Sequence, residues 1–377
     1  MTWRRTWAVA RKEALHIRRD VRSLILALLL PLILLMLFGY ALTLDVERIP
    51  TFVYDADQSA ESRDLIARFH GSLYFSVLGM VENENALEKK FDRDECLLGI
   101  SIPRGYARQL LSGHEASVQL LLEGSDSNTA SIALGYVDGL VQAHAAELQL
   151  KAQMRRAGRA TAPPVELRTR VWYNSEQKSR NYIVPGLIAV VLMIIAALLT
   201  SLTIAREWEN GTMEQLLSTP LRPAEMALGK LMAFFALGLV DVAVSVTVGV
   251  FVFGVPFRGS VFFLFFTSCI FIFGALCWGI LLSAVTRSQL LAYQAGLVSS
   301  FLPAFLLSGF TFAIENMPPA VQAITYLFPS RYFVGILKGV FLKGVGMEVV
   351  GMEVLFLALY GALVFFLTVR VLKRKLA

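Results

Sequence analysis

Six long apolar stretches alternate with polar segments along this chain. They cover approximately residues 24–44, 183–205, 228–254, 260–284, 289–312 and 353–370. Each has about the 20 apolar residues that a helix needs to cross a bilayer. The pattern therefore predicts an all-α membrane domain with six transmembrane spans.

The residues before the first span have the pattern of an amphipathic helix. Over residues 1–23 the apolar positions recur at spacings of four and three, which is one helical face: Trp3, Trp7, Ala10, Ala14, Ile17 and Val21. Arginines and Lys12 occupy the other face. A basic amphipathic helix that carries Trp lies flat at the level of the lipid headgroups. We expect that position for this helix, and packing against protein is the alternative.

The polar segment over residues 45–182 is long enough to form a small domain with its own core. Strand-like and helical segments alternate in it: strands over 50–59, 72–81, 96–103 and 117–126, helices near 59–70, 83–93 and 103–112, then a longer helix near 127–155 and a last strand over 166–175. This alternation predicts an α/β domain with one sheet. Asp55, Asp57 and Asp64 fit a solvated turn and a helix start better than a metal site.

The segment after the fifth span is too polar for a clean span and too apolar for a free loop. Pro318, Pro319 and Pro329 divide it, and over residues 313–350 we expect short helices that dip into the outer leaflet and return. Irregular backbone at that depth must be buried in protein or line a wet cavity. The region is therefore expected to cover a translocation pathway, and a simple surface cap is the alternative.

Composition and charge agree with a membrane protein and give it an orientation. The chain of 377 residues is 56% hydrophobic and only 17% charged, with a mean hydropathy of +0.59, whereas soluble domains are about 25% charged. Arginines and lysines precede the first span and follow the last, so both termini are expected in the cytoplasm. The segment 45–182 is then extracytoplasmic, and residues 206–230 and the tail 371–377 are cytoplasmic. Basic residues that flank spans do not form a patch for nucleic acid.

No motif for catalysis or nucleotide binding stands out in the sequence. Gly229 and Lys230 lack the upstream Gly and the following Ser or Thr of a P-loop, and neither HExxH nor GxSxG occurs. The four histidines are scattered, and the three cysteines do not form a disulfide framework or a metal site. We therefore expect no catalytic and no metal-binding residues.

Asp241 falls in the middle of the third span. A carboxyl group in the membrane core is costly, and it is a functional candidate for that reason. Two other interpretations remain open: a hydrogen bond to Ser245 one turn on, or a place at a subunit interface.

A charged, turn-broken segment of 25 residues separates the second and third spans. Residues 206–230 read REWENGTMEQLLSTPLRPAEMALGK, which is too short for a domain and too patterned for a slack loop. Gly211 lies in an initial turn, Thr212 is expected to cap the first turn of a short helix, and Pro220 and Pro223 are expected to end it. The segment indicates an element that docks a partner.

The acidic residues of this segment suit such a role. Glu214 and Gln215 lie where acidic and amide groups complement a helix N-terminus. Glu207 and Glu209 are expected to pair with basic groups of a partner or of the amphipathic helix. A merely solvated, charged loop is the alternative.

Three stretches of the chain resemble one known family. In REWENGTMEQLLSTPLRPAE the glutamates and the GT, EQLL and TP groups stand as in the first cytoplasmic loop of type-2 ABC exporter permeases. The stretch SGFTFAIENMPPAVQAITYLFPSRYFV resembles the outer re-entrant region of that family, and KEALHIRRDVRSLILALLLPLILLMLFGYAL resembles its interface helix and first span. Over essentially its whole length the chain therefore resembles a permease subunit of that superfamily, of the bacterial multidrug efflux type.

The resemblance implies a fold, partners and a location. Such permeases have the six-span fold of ABCG-like exporters and work as homodimers or with a similar permease in the bacterial inner membrane. Each dimer sits on a pair of cytoplasmic ATPase subunits, which bind ATP and Mg²⁺, so no cofactor is expected on this chain. Many members work with a periplasmic adaptor and an outer-membrane channel. The loop after the second span forms the coupling helix, and the matching positions here are Glu207, Glu209, Gly211, Thr212, Glu214, Gln215, Thr219, Pro220 and Glu225.

The resemblance also suggests a translocation pathway, along spans two and five near the dimer axis. We expect it to be lined by Thr200, Ser201, Gln294, Ser299, Ser300, Phe305 and Phe310, with Asp241 as a further candidate. An apolar, aromatic-rich route favours export of amphipathic or lipophilic compounds. Export of lipid, peptide or polysaccharide is the alternative, and a membrane sensor or scaffold without transport is a remote one.

Overall fold

A computed structural model describes residues 2–42, 48–157, 172–174 and 178–376 of the chain. It divides into two compact units. The helical unit comprises Met1–Thr43 and Arg170–Ala377, and the smaller α/β unit comprises Leu44–Thr169.

The chain begins with two helices of the helical unit. Helix α1 spans Trp3–Arg19. Helix α2 spans Val21–Ala41, and its apolar part, Ala27–Ala41, is shorter than the other long apolar helices.

The α/β unit contains a four-stranded sheet with the strand order β2-β1-β3-β4. Its elements in chain order are β1 (Ile49–Asp55), α3 (Ala60–His70), β2 (Phe75–Met80), α4 (Glu84–Asp92), β3 (Leu98–Ile102), α5 (Tyr106–Ser112), β4 (Gln119–Leu122) and α6 (Ser127–Ala157). β1 pairs in parallel with both β2 and β3, and β4 runs antiparallel to β3. α3 connects β1 to β2 and α4 connects β2 to β3, since strands that run in the same direction need such crossovers. Each of these elements overlaps a predicted segment, and most of the predicted strand over 166–175 lies outside the described residues.

Two aspartates hold the turns at the carboxyl end of β1. The hydroxyl of Ser62, which belongs to the capping box of α3 with Ser59, donates to Asp55 Oδ2 at 2.7 Å. Asp57 accepts hydrogen bonds from the backbone N–H groups of Gly105 (2.7 Å) and Ala107 (3.0 Å), where α5 begins. Both carboxylates therefore act as local acceptors that fix helix starts.

Among the described residues, the second part of the helical unit contains five helices that are long and apolar enough to cross a membrane. They are α7 (Ser179–Glu209), α9 (Pro223–Phe251), α10 (Val261–Thr286), α11 (Gln289–Leu306) and α14 (Met347–Leu376), and the short helix α8 (Thr212–Leu217) joins α7 to α9. α7 is the central helix, since it packs against α2, α9, α10 and α11 and is the most deeply buried of the five. Close approach of α7 and α10 follows from Gly279, where any side chain would overlap Thr200.

The segment between α11 and α14 is broken into short pieces. A 3-10 helix (Ile314–Asn316), α12 (Pro319–Thr325), α13 (Pro329–Lys338) and a π-helical turn (Gly339–Lys343) follow one another. Prolines occupy the first position of α12 and α13, where a missing N–H costs nothing. The fifth apolar stretch, predicted to continue to residue 312, ends as a helix at Leu306, and the chain turns at Gly309, whose φ is +78°.

Replacing Asp57 by Ala is expected to loosen the start of α5. Hydrogen bonds from the Ser59 side chain and from the Ala107 and Gly105 backbone lower the pKa of Asp57 from its usual value. A carboxyl group with a lowered folded pKa stabilises the fold above its unfolded pKa of about 3.9, and this contribution is lost as the pH falls through the folded value.

Hydrogen exchange of the amides over residues 105–112 in the full-length protein measures this effect. The variant should exchange faster than the wild type at pH 7, and the difference should shrink below pH about 3.9. Glu88→Ala, on the exposed side of α4, is the matched control. Equal protection in wild type and Asp57→Ala at pH 7 would refute the role of this carboxylate.

Candidate functional site

The turn between α7 and α9 carries most of the predicted docking residues. α7 ends at Glu209, and Gly211 adopts a φ of +70° immediately before α8 begins. Glycine suits this position because a side chain makes a left-handed backbone unfavourable. Met213 is buried and anchors α8 to the helical unit, while Glu214 and Gln215 are exposed.

A buried lysine on α9 belongs to a group of four charged side chains from three helices. Lys230 is only 1% exposed. Its Nζ lies 2.5 Å from Glu13 Oε1 of α1 and 3.5 Å from Glu207 Oε1 of α7. Lys12 Nζ lies 2.7 Å from the same Glu207 oxygen. We call Lys12, Glu13, Glu207 and Lys230 the ion cluster. Because buried charges are tolerated only with partners, the cluster fixes α1 against α7 and α9.

The ion cluster extends into α8 through Thr212. The hydroxyl of Thr212 donates to Glu207 Oε2. We predicted that this hydroxyl caps the first turn of the short helix, and that prediction is wrong. Gly211 occupies the N-cap position, and Thr212 is already the first helical residue, which is one position too late for its hydroxyl to accept from the N–H groups of the first turn.

A second contact joins the first residues of α1 to the start of α9. Glu225 is fully buried and accepts hydrogen bonds from the Thr2 N–H at 2.6 Å and the Arg222 N–H at 3.1 Å. Arg5 donates to the Pro220 carbonyl oxygen at 2.5 Å. Glu225 therefore anchors the chain internally rather than facing a partner.

The prolines of the turn differ from our expectation. α8 ends at Leu217, before either proline, and Pro223 is the first residue of α9. The fixed φ and missing N–H of proline suit the first helical position, and Glu225 closes a capping arrangement with Arg222 three residues earlier. The connection between the long helices is consequently shorter than residues 206–230, since 223–230 belong to α9.

Glu209 connects the end of α7 to the start of α11. Its two carboxylate oxygens accept from the backbone N–H and the side-chain amide of Gln289, at 2.7 and 2.6 Å. Nearby, the Arg287 guanidinium lies over the Trp208 ring, 4.4 Å from its centroid. Among the described residues, five of the nine predicted docking residues are exposed and make no side-chain hydrogen bond to another helix: Gly211, Glu214, Gln215, Thr219 and Pro220. They lie on α8 and at its two ends, and we call them the α8 surface; the backbone of Pro220 is held by Arg5.

The predicted pathway residues divide between interior and surface. Thr200, Ser201, Asp241, Ser300 and Phe310 are buried, Ser299 and Phe305 are half-buried, and Gln294 is exposed. The hydroxyl of Thr200 donates to the Leu276 carbonyl oxygen at 3.0 Å, and the Trp278 indole donates to Ser299 Oγ at 3.0 Å. Most of these side chains therefore face neighbouring helices of the same chain, and their place along a pathway stays a prediction.

Asp241 has no hydrogen bond to Ser245. Asp241 Oδ1 and Ser245 Oγ are both buried and lack a partner among the described residues. Asp241 is 2% exposed, so it does not lie on a surface of this chain. Neither of the two other interpretations of this carboxyl group therefore matches the structure.

The expectation that Glu207 pairs with a basic group of the amphipathic helix is confirmed by its ion pair with Lys12, whereas sequence reasoning missed Glu13 and Lys230. Glu13 belongs to the polar face of an amphipathic helix, where charges usually face solvent. Lys230 stands at the edge of an apolar stretch, and a lysine there is normally a flanking residue. The available signal is the position of Glu13, which lies one turn after Val9 on the side of α1 that packs on α9.

Comparison with known proteins gives consistent matches. The chain matches the family described as ABC-2 family transporter protein over residues 21–370. It is 37% identical over 380 residues to "Probable multidrug ABC transporter permease YbhS" of Escherichia coli (strain K12), a match that covers 100% of this chain and 98% of the relative. YbhR, a probable multidrug ABC transporter permease of the same strain, is 31% identical over 338 residues, or 90% of each chain. "Inner membrane transport permease YhhJ" is 26% identical over 299 residues, which is 77% of this chain and 76% of that protein. These names are those of permeases and not of enzymes.

Replacing Lys230 by Met is expected to destabilise the helical unit. The change leaves Glu13 as a buried carboxylate without its cation, and breaking a buried pair in this way costs about 3–5 kcal/mol. Removing both charges together, in Glu13→Gln with Lys230→Met, should recover a large part of the loss.

Thermal unfolding of the purified protein in lipid measures both variants. Lys90→Met is the control, since it breaks the more exposed pair with Glu95, and surface pairs contribute about 0–1 kcal/mol. A Lys230→Met protein as stable as Lys90→Met would show that the ion cluster does not hold the three helices together.

Proposed function

The chain belongs to the ABC-2 family of transporter proteins, and on that premise we propose that it is the permease subunit of an ATP-driven exporter of amphipathic or lipophilic compounds. Membership confirms the family that its sequence resembles. An ABC ATPase partner and pairing with a second permease follow from the family. The relatives named as probable multidrug permeases support drug-like cargo.

The arrangement around α8 is the observation that carries this proposal. The α8 surface is exposed, while Thr212, the first residue of α8, donates a hydrogen bond to Glu207 of the ion cluster. A docking element needs exposed side chains that the partner can contact. It also needs a rigid connection to the helices that move during transport. We infer that the α8 surface contacts the ATPase, which binds ATP and Mg²⁺, and that Thr212 and Glu207 pass its movement to α1, α7 and α9.

Transport would then proceed by alternating access. Closure of the ATPase pair on ATP moves the two α8 helices of a permease dimer together. α7 and α11 open away from that side, and the broken segment between α11 and α14 controls the exit. Hydrolysis and release of the ATPase pair reset the helices.

The orientation follows from the same assignment. If α8 faces the cytoplasm of a bacterial inner membrane, the segment between α2 and α7 emerges on the opposite side, because consecutive spans cross in opposite directions. We propose that both termini are cytoplasmic, that α1 lies at the inner headgroup level with Trp3 and Trp7 toward lipid, and that the α/β unit is periplasmic. Trp3 and Trp7 are 65% and 55% exposed, which supports this placement of α1. A periplasmic α/β unit is in place to meet an adaptor and, through it, an outer-membrane channel.

Replacing Glu214 by Lys should uncouple the permease from its ATPase without unfolding it. Glu214 is exposed, and among the residues that the structure describes it has no partner of the kind that Glu207, Glu209 and Glu225 have. We expect the affinity for the ATPase, or the stimulation of its turnover, to fall by about tenfold, equivalent to about 1.4 kcal/mol. Co-purification and ATPase activity in lipid measure the two quantities.

Glu315→Lys is the matched control, because Glu315 is also exposed but lies in the 3-10 helix after α11. It should bind and stimulate the ATPase as the wild type does. Failure of the wild type to bind any ATPase encoded beside it would refute the proposed function. Equal losses in the two variants would refute the role of the α8 surface.

A further inference from the structure

A cleft of about 570 Å³ lies between α1, α2, α7 and α9 of the helical unit. Its volume is within the range of about 300–1,000 Å³ that is typical of small-molecule sites. One end is polar and includes Arg206, Glu207 and Thr212. The other end is apolar, with Leu198 of α7 and Phe234 and Leu237 of α9 among its walls. This division fits a molecule with an apolar body.

The α9 wall of the cleft continues directly to Asp241. Residues on a helix turn by about 100° each, so Asp241 lies within the arc that Phe234 and Leu237 define on α9. Four residues correspond to a rise of about 6 Å, which places Asp241 one turn beyond Leu237 on the same side. The carboxyl group is therefore the next side chain along the wall, past the apolar end.

Contacts between α7 and α9 place Asp241 at the level of the apolar end of the cleft. Lys230 Nζ lies 3.5 Å from the Thr203 carbonyl oxygen, and a side chain added at Gly249 would lie 3.1 Å from Ile188. The two helices are thus antiparallel, and interpolation between these contacts puts Asp241 opposite Ile194, the neighbour of Ile195. Ile195 is the α7 residue farthest from the polar end among those that line the cleft.

Asp241 is the only charged residue in the long apolar segments around it. Residues 181–205, 231–251, 261–286 and 289–306 contain no other Asp, Glu, Lys or Arg. Its Oδ1 has no hydrogen-bond partner among the described residues, and neither does Ser245 Oγ one turn on. A carboxylate in such surroundings is unfavourable until a cation compensates it. A cation with an apolar body pairs with the carboxylate through its charge and packs against the apolar walls of the cleft.

We propose that Asp241 is the recognition residue for lipophilic cations, which enter by the cleft and reach the carboxylate when α7 and α9 separate at its apolar end. Neutral amphipathic compounds use the cleft without this contact. The inference rests on the proposed export function and names the class of cargo that the permease prefers.

Binding of tetraphenylphosphonium to the permease–ATPase complex in lipid nanodiscs tests the proposal. Asp241→Asn should weaken this binding by roughly tenfold or more, the size expected when a buried charge partner is removed. Asp241→Glu should retain most of it. Binding of the neutral probe N-phenyl-1-naphthylamine should stay unchanged in both variants. Glu353→Gln, which removes a carboxylate from α14, is the matched control and should bind both probes as the wild type does.

A measurement on the wild-type protein avoids any dependence on folded variants. Dicyclohexylcarbodiimide modifies carboxyl groups in apolar surroundings, and mass spectrometry locates the product. Tetraphenylphosphonium should slow modification of Asp241, and the neutral probe should not. Absence of protection, or an equal loss of both probes in Asp241→Asn, would overturn the proposal.

The two proposals fail separately. A complex in which the ATPase binds and responds to Glu214→Lys, but tetraphenylphosphonium binds Asp241→Asn as tightly as the wild type, refutes only the recognition of cations. A permease that binds no ATPase refutes the export function, whatever the result with the probes.

Discussion

The helical unit depends on a buried lysine, and burial of that charge is tolerated only because two carboxylates pair with it. Lys230 is buried on α9, with Glu13 of α1 at 2.5 Å and Glu207 of α7 at 3.5 Å. Transfer of a lone ammonium group to the interior costs several kcal/mol, so α9 is stable in this place only while α1 is docked beside it. Gly229 allows the close approach, since a side chain there would overlap Val9. One buried charge therefore links three helices.

Buried ion pairs are often no more stabilising than apolar packing of the same volume, so the cluster matters chiefly for what it connects. The two oxygens of Glu207 have different partners. Oε1 faces Lys12 and Lys230, and Oε2 accepts from Thr212 at the first position of α8. A displacement of α8 therefore acts on the same carboxylate that holds Lys230. In the proposed exporter, this single side chain carries the movement of the docking helix to α1 and α9.

Local pattern is sufficient to predict most elements of this fold, because helices and strands are stabilised by neighbours in sequence. Contacts between distant segments follow no such pattern: Glu13 and Lys230 are 217 positions apart, and each looks like an ordinary polar-face or flanking charge. Pro223 illustrates a different limit. The property that makes proline end a helix also favours it at the first helical position. Glu225, two residues after Pro223, is the residue that indicates the start of a helix. Pro223 and Glu225 together therefore predict that α9 begins at Pro223.

The cleft relates the proposed cargo site to the proposed docking helix. Its polar end includes Glu207 and Thr212, and its apolar end leads to Asp241. Lys230 and Asp241 are separated on α9 by a rise of about 16 Å. A cation held at Asp241 that is long enough to span this distance has its far end near the ion cluster, where it acts on the contacts of Glu207. Those contacts also hold α8, so a molecule in the cleft and an ATPase bound to α8 both act on the carboxylate of Glu207. This arrangement makes ATPase turnover in the proposed exporter sensitive to cargo, although cargo and ATPase do not touch.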